Sequence, residues 1–251
     1  MSTKTSGGNG LNGLTSGRHR KPAAVPLNVR VLLREAIFGV NDGLVATVGL
    51  VSGEALSHQS HGSIIIAGLS SVGAAVVSMS VGSYLATTSQ NDWVTQQITL
   101  QRADIEDHPH QEAREVDDLL GEIGIPRPAI PDIRQTITAS RPRWLKFMVR
   151  EALGVHPSHE ESPFANAATM AVAVVIGSSP PIVPFLLPLP ILSARDMAWG
   201  FSVAAALVIG GLKGKFTGSS IWKSSLQFGI LASLSAGVGA GIGWALGLLG
   251  A

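Results

Sequence analysis

Apolar residues along this chain fall into five long blocks that shorter polar segments separate. About 20 apolar residues suffice for a helix to cross a bilayer, and most of the blocks reach that length. The pattern therefore predicts five membrane-spanning helices. The fourth block is short for a span, and the prolines in GSSPPIVPFLLPLP predict an irregular end to the third. The expected limits are near residues 34–56, 63–88, 165–189, 197–212 and 226–251.

The longest polar segment, at residues 90–163, holds most of the acidic residues and separates the second and third predicted spans. Its apolar residues recur at helical spacing, Pro109 is placed to begin a new helix, and no strand pattern is visible. Residues 1–30 are rich in Gly, Ser and Asn, which is typical of a disordered tail. We therefore expect an all-α membrane protein with a tail at 1–30, spans at 31–89 and 164–251, and a helical insert at 90–163.

The composition agrees with a membrane protein. Charged residues make up 14% of the chain, whereas soluble domains contain about a quarter. The 29 glycines favour close helix packing, and Gly239, Gly243 and Gly247 repeat at a spacing that suits it. That repeat fits packing within one subunit and packing between two subunits equally well. There is no cysteine, so disulfides, thiolate metal sites and cysteine nucleophiles are excluded.

The basic residues predict the orientation, because Lys and Arg concentrate on the cytoplasmic side of membrane proteins. With five spans, all 18 Lys and Arg residues except Arg195 fall on one side. The N-terminal tail, the insert and the loop KGKFTGSSIWK are therefore expected to be cytoplasmic. The net charge of +1 gives no argument for nucleic acid as a partner. No span contains a serine with a partner histidine, so an intramembrane hydrolase is not expected.

Asp42 is the first candidate functional residue, because it lies inside the first predicted span. A carboxylate there costs about 2.5 to 3.5 kcal/mol on insertion scales, and such groups usually face a bundle interior or an aqueous path. We therefore expect Asp42 to bind an ion. The alternative is an ion pair with Arg34, eight residues earlier on the same helix.

Met79 is the second candidate, within the apolar run of the second span. A thioether together with a carboxylate suits Fe(II) or Mn(II) better than Mg²⁺ or Ca²⁺, which prefer oxygen alone. Taken alone, however, Met79 is more typical of a packing residue.

The insert contains three pairs of potential ligands, each pair spaced so that its members share a helix face. Such pairs could converge on a cation, since clustered carboxylates repel one another unless a metal neutralises them. Spacing alone nevertheless favours a solvated acidic surface. The pairs are Gln101 with Asp104, Glu112 with Glu115, and Met148 with Glu151.

Five segments in this order resemble the vacuolar iron transporter family of yeast and plant vacuoles and bacteria: REAIFGVNDGLV, SMSVGSYLATTSQND, PHQEAREVDDLL, WLKFMVRE and LKGKFTG. The resemblance covers nearly the whole chain from Arg34 onward. It implies a homodimer with five spans and a cytoplasmic metal-binding insert. It also implies export of Fe(II) or Mn(II) from the cytosol in exchange for protons, with Zn(II) as a further candidate ion at the insert.

The resemblance also assigns residues. It implies that Asp42 and Met79 are ligands on the transport path. In the insert it implies ligand roles for four residues and so reverses the preference for a solvated surface; these are Asp104, Glu112, Glu115 and Met148. No resident cofactor is implied, since the metal is the transported substrate.

This chain departs from the plant members of the family at several ligand positions. Gln101 replaces a glutamate and brings no charge, while Val149 replaces a second methionine. Ala152 stands opposite a family glutamate, so Glu151 is a substitute ligand at best. Ser71 replaces a glutamate of the second span, which removes a group able to exchange protons for metal.

The expected function is therefore a proton-coupled Fe(II) or Mn(II) transporter in a bacterial cell membrane or a vacuolar membrane, in contact with its lipids. The alternative is a membrane metal-binding sensor or scaffold that does not transport, which the replacements at Ser71 and Gln101 would fit.

Overall fold

A computed structural model describes residues 27–57, 59–154 and 161–248, and within these ranges every regular element is a helix. Short 3-10 turns precede α4, at Arg127–Ala129, and follow α6, at Val183–Leu186. The helices are α1 (Leu27–Leu56), α2 (His61–Asp107), α3 (Pro109–Glu122), α4 (Ile130–Thr138), α5 (Arg141–Glu151), α6 (Pro163–Ile182), α7 (Ile191–Thr217) and α8 (Ile221–Leu248).

Five of these helices, α1, α2, α6, α7 and α8, are long and apolar enough to cross a membrane. The prediction of an all-α fold with five helices able to span a membrane is therefore confirmed for the described residues. The irregular end of the third span is also found, because α6 passes Pro180 and Pro181 and then tightens into a 3-10 turn. Of the predicted tail at 1–30, residues 1–26 lie outside the described residues, and α1 already begins at Leu27.

Among the helices that extend beyond the predicted spans, α2 and α7 do so most. α2 continues without a break for 47 residues, about 70 Å at 1.5 Å per residue, so the boundary expected near residue 90 lies inside one helix. α7 runs from Ile191 to Thr217 and is longer than the predicted 197–212, because the polar residues on both sides of the apolar block are also helical. It ends where Gly218 adopts a positive φ of 69°, a conformation that glycine allows at no steric cost.

Side-chain and backbone contacts establish the directions of the spans. α1 runs antiparallel to α2, since Ser83 contacts Glu35 while Gly68 lies beside Val51. α8 runs parallel to α1, because Ser235 donates to the Val45 carbonyl and later residues of both helices meet further along. The start of α1, the insert and the α7–α8 connection therefore lie at the same end of the bundle.

α1 is the central helix, and glycines bring its backbone into direct contact with two neighbours. A Cβ atom on Gly177 of α6 would overlap the Val40 carbonyl. On α8, a Cβ on Gly239 or Gly243 would overlap a carbonyl of α1 in the same way. Two residues of the predicted small-residue repeat are thus used for packing within the chain.

The insert folds onto the part of α2 that extends beyond the span. α3 begins at Pro109, as predicted; α3 and α5 pack directly on that part of α2 through their apolar faces, and α4 packs on α3 and α5. α5 ends at Glu151 and does not lead directly into α6, which begins at Pro163. The buried core of the insert consists of Ile105, Val116, Leu120, Ile137, Trp144 and Met148.

The glycine contacts predict a position-specific effect in α8. We expect Gly243→Ala to destabilise the protein by about 1 to 3 kcal/mol, because the new methyl group must displace the α1 backbone. Gly241→Ala is the matched control, since nothing lies within 4 Å of a Cβ atom at that position. Thermal unfolding in detergent should show a lower melting temperature for Gly243→Ala alone; equal melting of the two variants would contradict the packing described here.

Candidate metal-binding residues

Asp42 lies in the middle of α1 with an exposed side chain. Successive residues of a helix are rotated by about 100°, so Asp42 points away from the face on which Gly43 packs against α6. Arg34, the alternative partner, instead forms an ion pair with Glu35 at 3.1 Å. Among the described residues Asp42 makes no hydrogen bond or ion pair, so the expected alternative is not found.

Met79 lines an open groove of about 720 Å³ between α1, α2 and α6. The same groove is lined by Glu35, a buried carboxylate that sequence analysis did not select. Glu35 lies seven residues before Asp42 and on the same face of α1, about 10 Å away along the helix, and the groove extends along α1 to Phe38, about one turn before Asp42. The structure therefore brings Met79 close to a carboxylate of the first span.

Hydrogen bonds hold the wall of this groove. The Ser83 hydroxyl donates to Glu35 Oε2 at 3.0 Å, and the Thr87 hydroxyl donates to the Ser83 carbonyl at 2.9 Å. The buried Asn166 amide donates both to Thr87 Oγ1, at 3.0 Å, and to Glu161 Oε2, at 3.1 Å. A continuous polar chain thus links Glu35 of α1 to Glu161, which lies just before α6.

In the insert, Gln101 of α2 and Glu112 of α3 are both buried and lie opposite each other where the two helices meet. The Gln101 amide nitrogen donates to Glu112 Oε2 at 2.5 Å. Asp104 and Glu115 are exposed on the same two helices, and both are close enough to repel the Glu112 carboxylate. These four predicted ligands therefore lie near one another.

The pKa of Glu112 is raised above its usual value of 4.5. Burial is the main cause, because it disfavours the charged form; repulsion from Glu115 and Asp104 adds to it, while the hydrogen bond from Gln101 opposes it. A carboxylate in such a position binds either a proton or a cation more readily than an isolated one.

The structure separates the other two predicted ligands of the insert. Met148 is fully buried in the apolar core, whereas Glu151 is exposed and pairs with Arg150 at 3.3 Å. Within residues 27–57, 59–154 and 161–248, no three His, Asp or Glu side chains form a group that could hold a metal ion by themselves.

Sequence reasoning missed three residues of the groove: Glu35, Glu161 and Met170. Glu35 could have been found from its spacing of seven residues from Asp42, which places both on one face. Glu161 and Met170 are distant in sequence from α1 and α2, so no local spacing indicates them.

Comparison with known proteins addresses the resemblance directly. The family model described as the VIT family matches residues 33–244, which include most of α1 and α8 and everything between them. The chain belongs to the VIT family. It is 28% identical to vacuolar iron transporter 2 of Oryza sativa subsp. japonica over 84% of this chain and 86% of that protein.

Two further members of the VIT family show the same degree of similarity. Vacuolar iron transporter 1 of Tulipa gesneriana is 28% identical over 81% of this chain and 83% of its own length. Vacuolar iron transporter 1 of Arabidopsis thaliana is 28% identical over 81% of this chain and 82% of its own length. Membership of the VIT family, together with the five apolar helices, makes this chain a multi-pass membrane protein of a transporter family.

The raised pKa of Glu112 predicts the pH dependence of stability without metal. Because folding raises this pKa, the folded state binds more protons, so the contribution of Glu112 is most favourable below about pH 4.5 and decreases as pH rises through the folded pKa. We therefore expect Glu112→Gln to raise the melting temperature in chelator at pH 7.5 and to change it little at pH 4.5. The control is Glu122→Gln, at the exposed end of α3. A lower melting temperature of Glu112→Gln at pH 7.5 would mean that the fold favours the charged carboxylate, contrary to the raised pKa.

Proposed function

We propose that this protein moves Fe(II) or Mn(II) out of the cytosol, with Asp42 as the central ligand of the path and protons moving in the opposite direction. One observation carries the proposal: Asp42 is an intramembrane carboxylate with no protein partner in the described chain. A carboxylate in a span is stable only if something neutralises it. A passing cation supplies that neutralisation, and a proton supplies it once the cation has left.

The exposure of Asp42 supports a homodimer. A carboxylate facing lipid is unfavourable, and the neighbouring face of α2 is also exposed and consists largely of small and apolar residues. A second subunit placed against α1 and α2 would cover both surfaces and leave the Asp42 carboxylates beside the contact between subunits. The path would then run along the axis of the dimer, with the groove around Met79 opening toward it.

The insert is the proposed collection point for metal. It lies at the same end of the bundle as the basic start of α1 and the lysines beside the α7–α8 connection, which the charge rule assigns to the cytoplasm. Glu112 with Asp104 and Glu115 offers carboxylate oxygen, while Gln101 adds no charge. The insert should therefore hold divalent ions weakly and release them to the membrane domain.

A second candidate function is a membrane sensor that binds metal in the insert without transporting it. The hydrogen bond from Gln101 to the buried Glu112 favours it, because Glu112 has a protein partner when no metal is bound. Transport itself separates the two functions, since only a transporter changes the metal content of sealed vesicles.

The role of Asp42 predicts the effect of removing its charge. Asp42→Asn keeps the shape of the side chain but cannot neutralise a cation, so we expect metal uptake into proteoliposomes with an imposed pH gradient to fall at least tenfold. Asp196→Asn is the control, because Asp196 is exposed at the opposite end of the bundle and pairs with Arg195 at 2.7 Å. Full uptake by a folded Asp42→Asn protein would refute the proposed path.

The neutral side chain at Gln101 predicts a gain of metal binding on substitution. Gln101→Glu places a second carboxylate beside Glu112, so the metal-free protein should melt at a lower temperature while added Mn(II) raises that temperature more than in the unsubstituted protein. Gln96→Glu, exposed on the same helix, is the matched control. Thermal unfolding with chelator and with Mn(II) measures both effects; equal shifts for the two variants would argue against a metal site here.

A further inference from the structure

The groove between α1, α2 and α6 contains a second thioether. Met170 of α6 is buried and lines the groove together with Met79 of α2. Its sulfur lies against α1, since a methyl group built on Gly39 would be 3.0 Å from Met170 Sδ. Gly39 is one turn after Glu35, so the sulfur is beside the helical turn that carries the buried carboxylate.

The groove also contains a second carboxylate, Glu161, from the segment just before α6. Glu161 Oε2 accepts from Asn166, and the Glu161 carbonyl accepts from Asn91 at 2.8 Å. The other carboxylate oxygen, Oε1, makes no hydrogen bond with the described residues and is available to a cation. Two carboxylates and two thioethers, from α1, α2 and the stretch that contains α6, therefore border one space.

We propose that this groove is a loading site that binds a divalent transition-metal ion before the ion reaches Asp42, and that Met170 makes the site favour softer ions. The inference rests on the proposed function, which it deepens by naming a binding site and its selectivity residue. Carboxylates attract any divalent cation, whereas thioether sulfur contributes mainly to soft and borderline metals. The mixed donors therefore exclude Mg²⁺ and Ca²⁺ better than oxygen alone would.

The charges of the groove suit an incoming cation. Glu35 and Glu161 carry two negative charges, and Arg34 is the one cation that lines the groove among the described residues. Arg34 pairs with Glu35 at 3.1 Å, but its side chain is 70% exposed, whereas that of Glu35 is 12% exposed. An exposed arginine holds an ion pair weakly, so Arg34 can move into water while Glu35 keeps its position and meets the metal.

The size of the groove fits an ion that has kept part of its water shell. Six waters occupy about 180 Å³ at about 30 Å³ each, and the groove offers about 720 Å³. The hydrogen bonds through Ser83, Thr87 and Asn166 hold Glu35 and Glu161 at the wall of the groove. An ion can therefore enter hydrated and exchange water for sulfur and carboxylate oxygen inside the groove.

Equilibrium binding of Cd(II), a soft probe ion, and of Mn(II), a harder one, tests this site in the full-length protein in detergent. A background variant with Asp42→Asn, Asp104→Asn, Glu112→Gln and Glu115→Gln removes the other carboxylates that are proposed to bind metal. In that background we expect Met170→Leu to lower the affinity for Cd(II) at least tenfold and that for Mn(II) less than threefold. Glu161→Gln should lower both affinities by similar factors.

Met197→Leu is the matched control, because Met197 is an exposed methionine of α7 that does not line the groove. Leucine is close to methionine in size, so the variants should melt alike in chelator, which excludes misfolding as the cause. Equal effects of Met170→Leu and Met197→Leu on Cd(II) binding would overturn the inference. So would a Met170→Leu effect that is the same for both ions, because this would indicate altered packing.

Metal uptake by the unsubstituted protein in proteoliposomes separates this inference from the proposed function. If the protein transports metal but the background variant binds no Cd(II), the loading site is wrong and the function stands. If the background variant binds Cd(II) through Met170 but the unsubstituted protein transports nothing, the binding site stands and the proposed function is wrong.

Discussion

The contact of the α1 backbone with the backbones of α6 and α8 is the constraint on which the rest of the structure depends. Gly177, Gly239 and Gly243 remove the side chains that would separate these helices, so two sides of α1 are occupied by neighbouring backbone. What remains of α1 faces α7, α2 and the outside; Glu35 contacts α2, and Asp42 is exposed. A larger residue at any of these glycines would rotate or shift α1 and so move Glu35 and Asp42 together. On the proposed function, the glycines therefore influence the metal path although none of them binds a metal.

The two carboxylates of α1 differ in burial and in their protein partners. Glu35 is buried, and each of its oxygens has a partner, Ser83 or Arg34, so it is stable in a protein without metal. Asp42 has no such partner in the described chain and depends on an ion, a proton or a second subunit for neutralisation. On the proposed function, the ion is first held beside Glu35, whose charge already has protein partners. It then passes to Asp42, whose charge has none in the described chain. This difference in charge compensation favours movement of the ion from the insert toward the middle of the membrane.

The apolar pattern was sufficient to predict the five spans, the irregular end of α6 and the start of α3 at Pro109, because each depends on local chemistry. It did not predict that α2 passes through residue 90 without a break, since polar residues such as Asn91 and Asp92 end an apolar block without ending a helix. The residues of the candidate site were likewise predicted only in part. Asp42 is conspicuous as a charge inside a span, whereas Glu35 lies beside Arg34 near the start of α1 and resembles an ordinary charge at a helix end. Glu161 and Met170 reach the groove only through the packing of α6 on α1, which no spacing within one segment reveals.

The placement of sulfur decides where metal selection can occur. The insert has one methionine among its predicted ligands, but Met148 is fully buried among Ile105, Val116 and Trp144 and is part of the packing that holds α5 on α2. Bringing its sulfur to a metal would open that core, whereas Asp104, Glu112 and Glu115 offer oxygen without any rearrangement. Oxygen ligands alone separate transition metals poorly from Mg²⁺, which is far more abundant in cells. On the proposed function, the insert therefore concentrates divalent ions with little discrimination, and the thioethers of Met79 and Met170 discriminate among them inside the membrane. The replacement of a charged ligand by Gln101 is then tolerable, because weak collection followed by selective loading still delivers the right ion to Asp42.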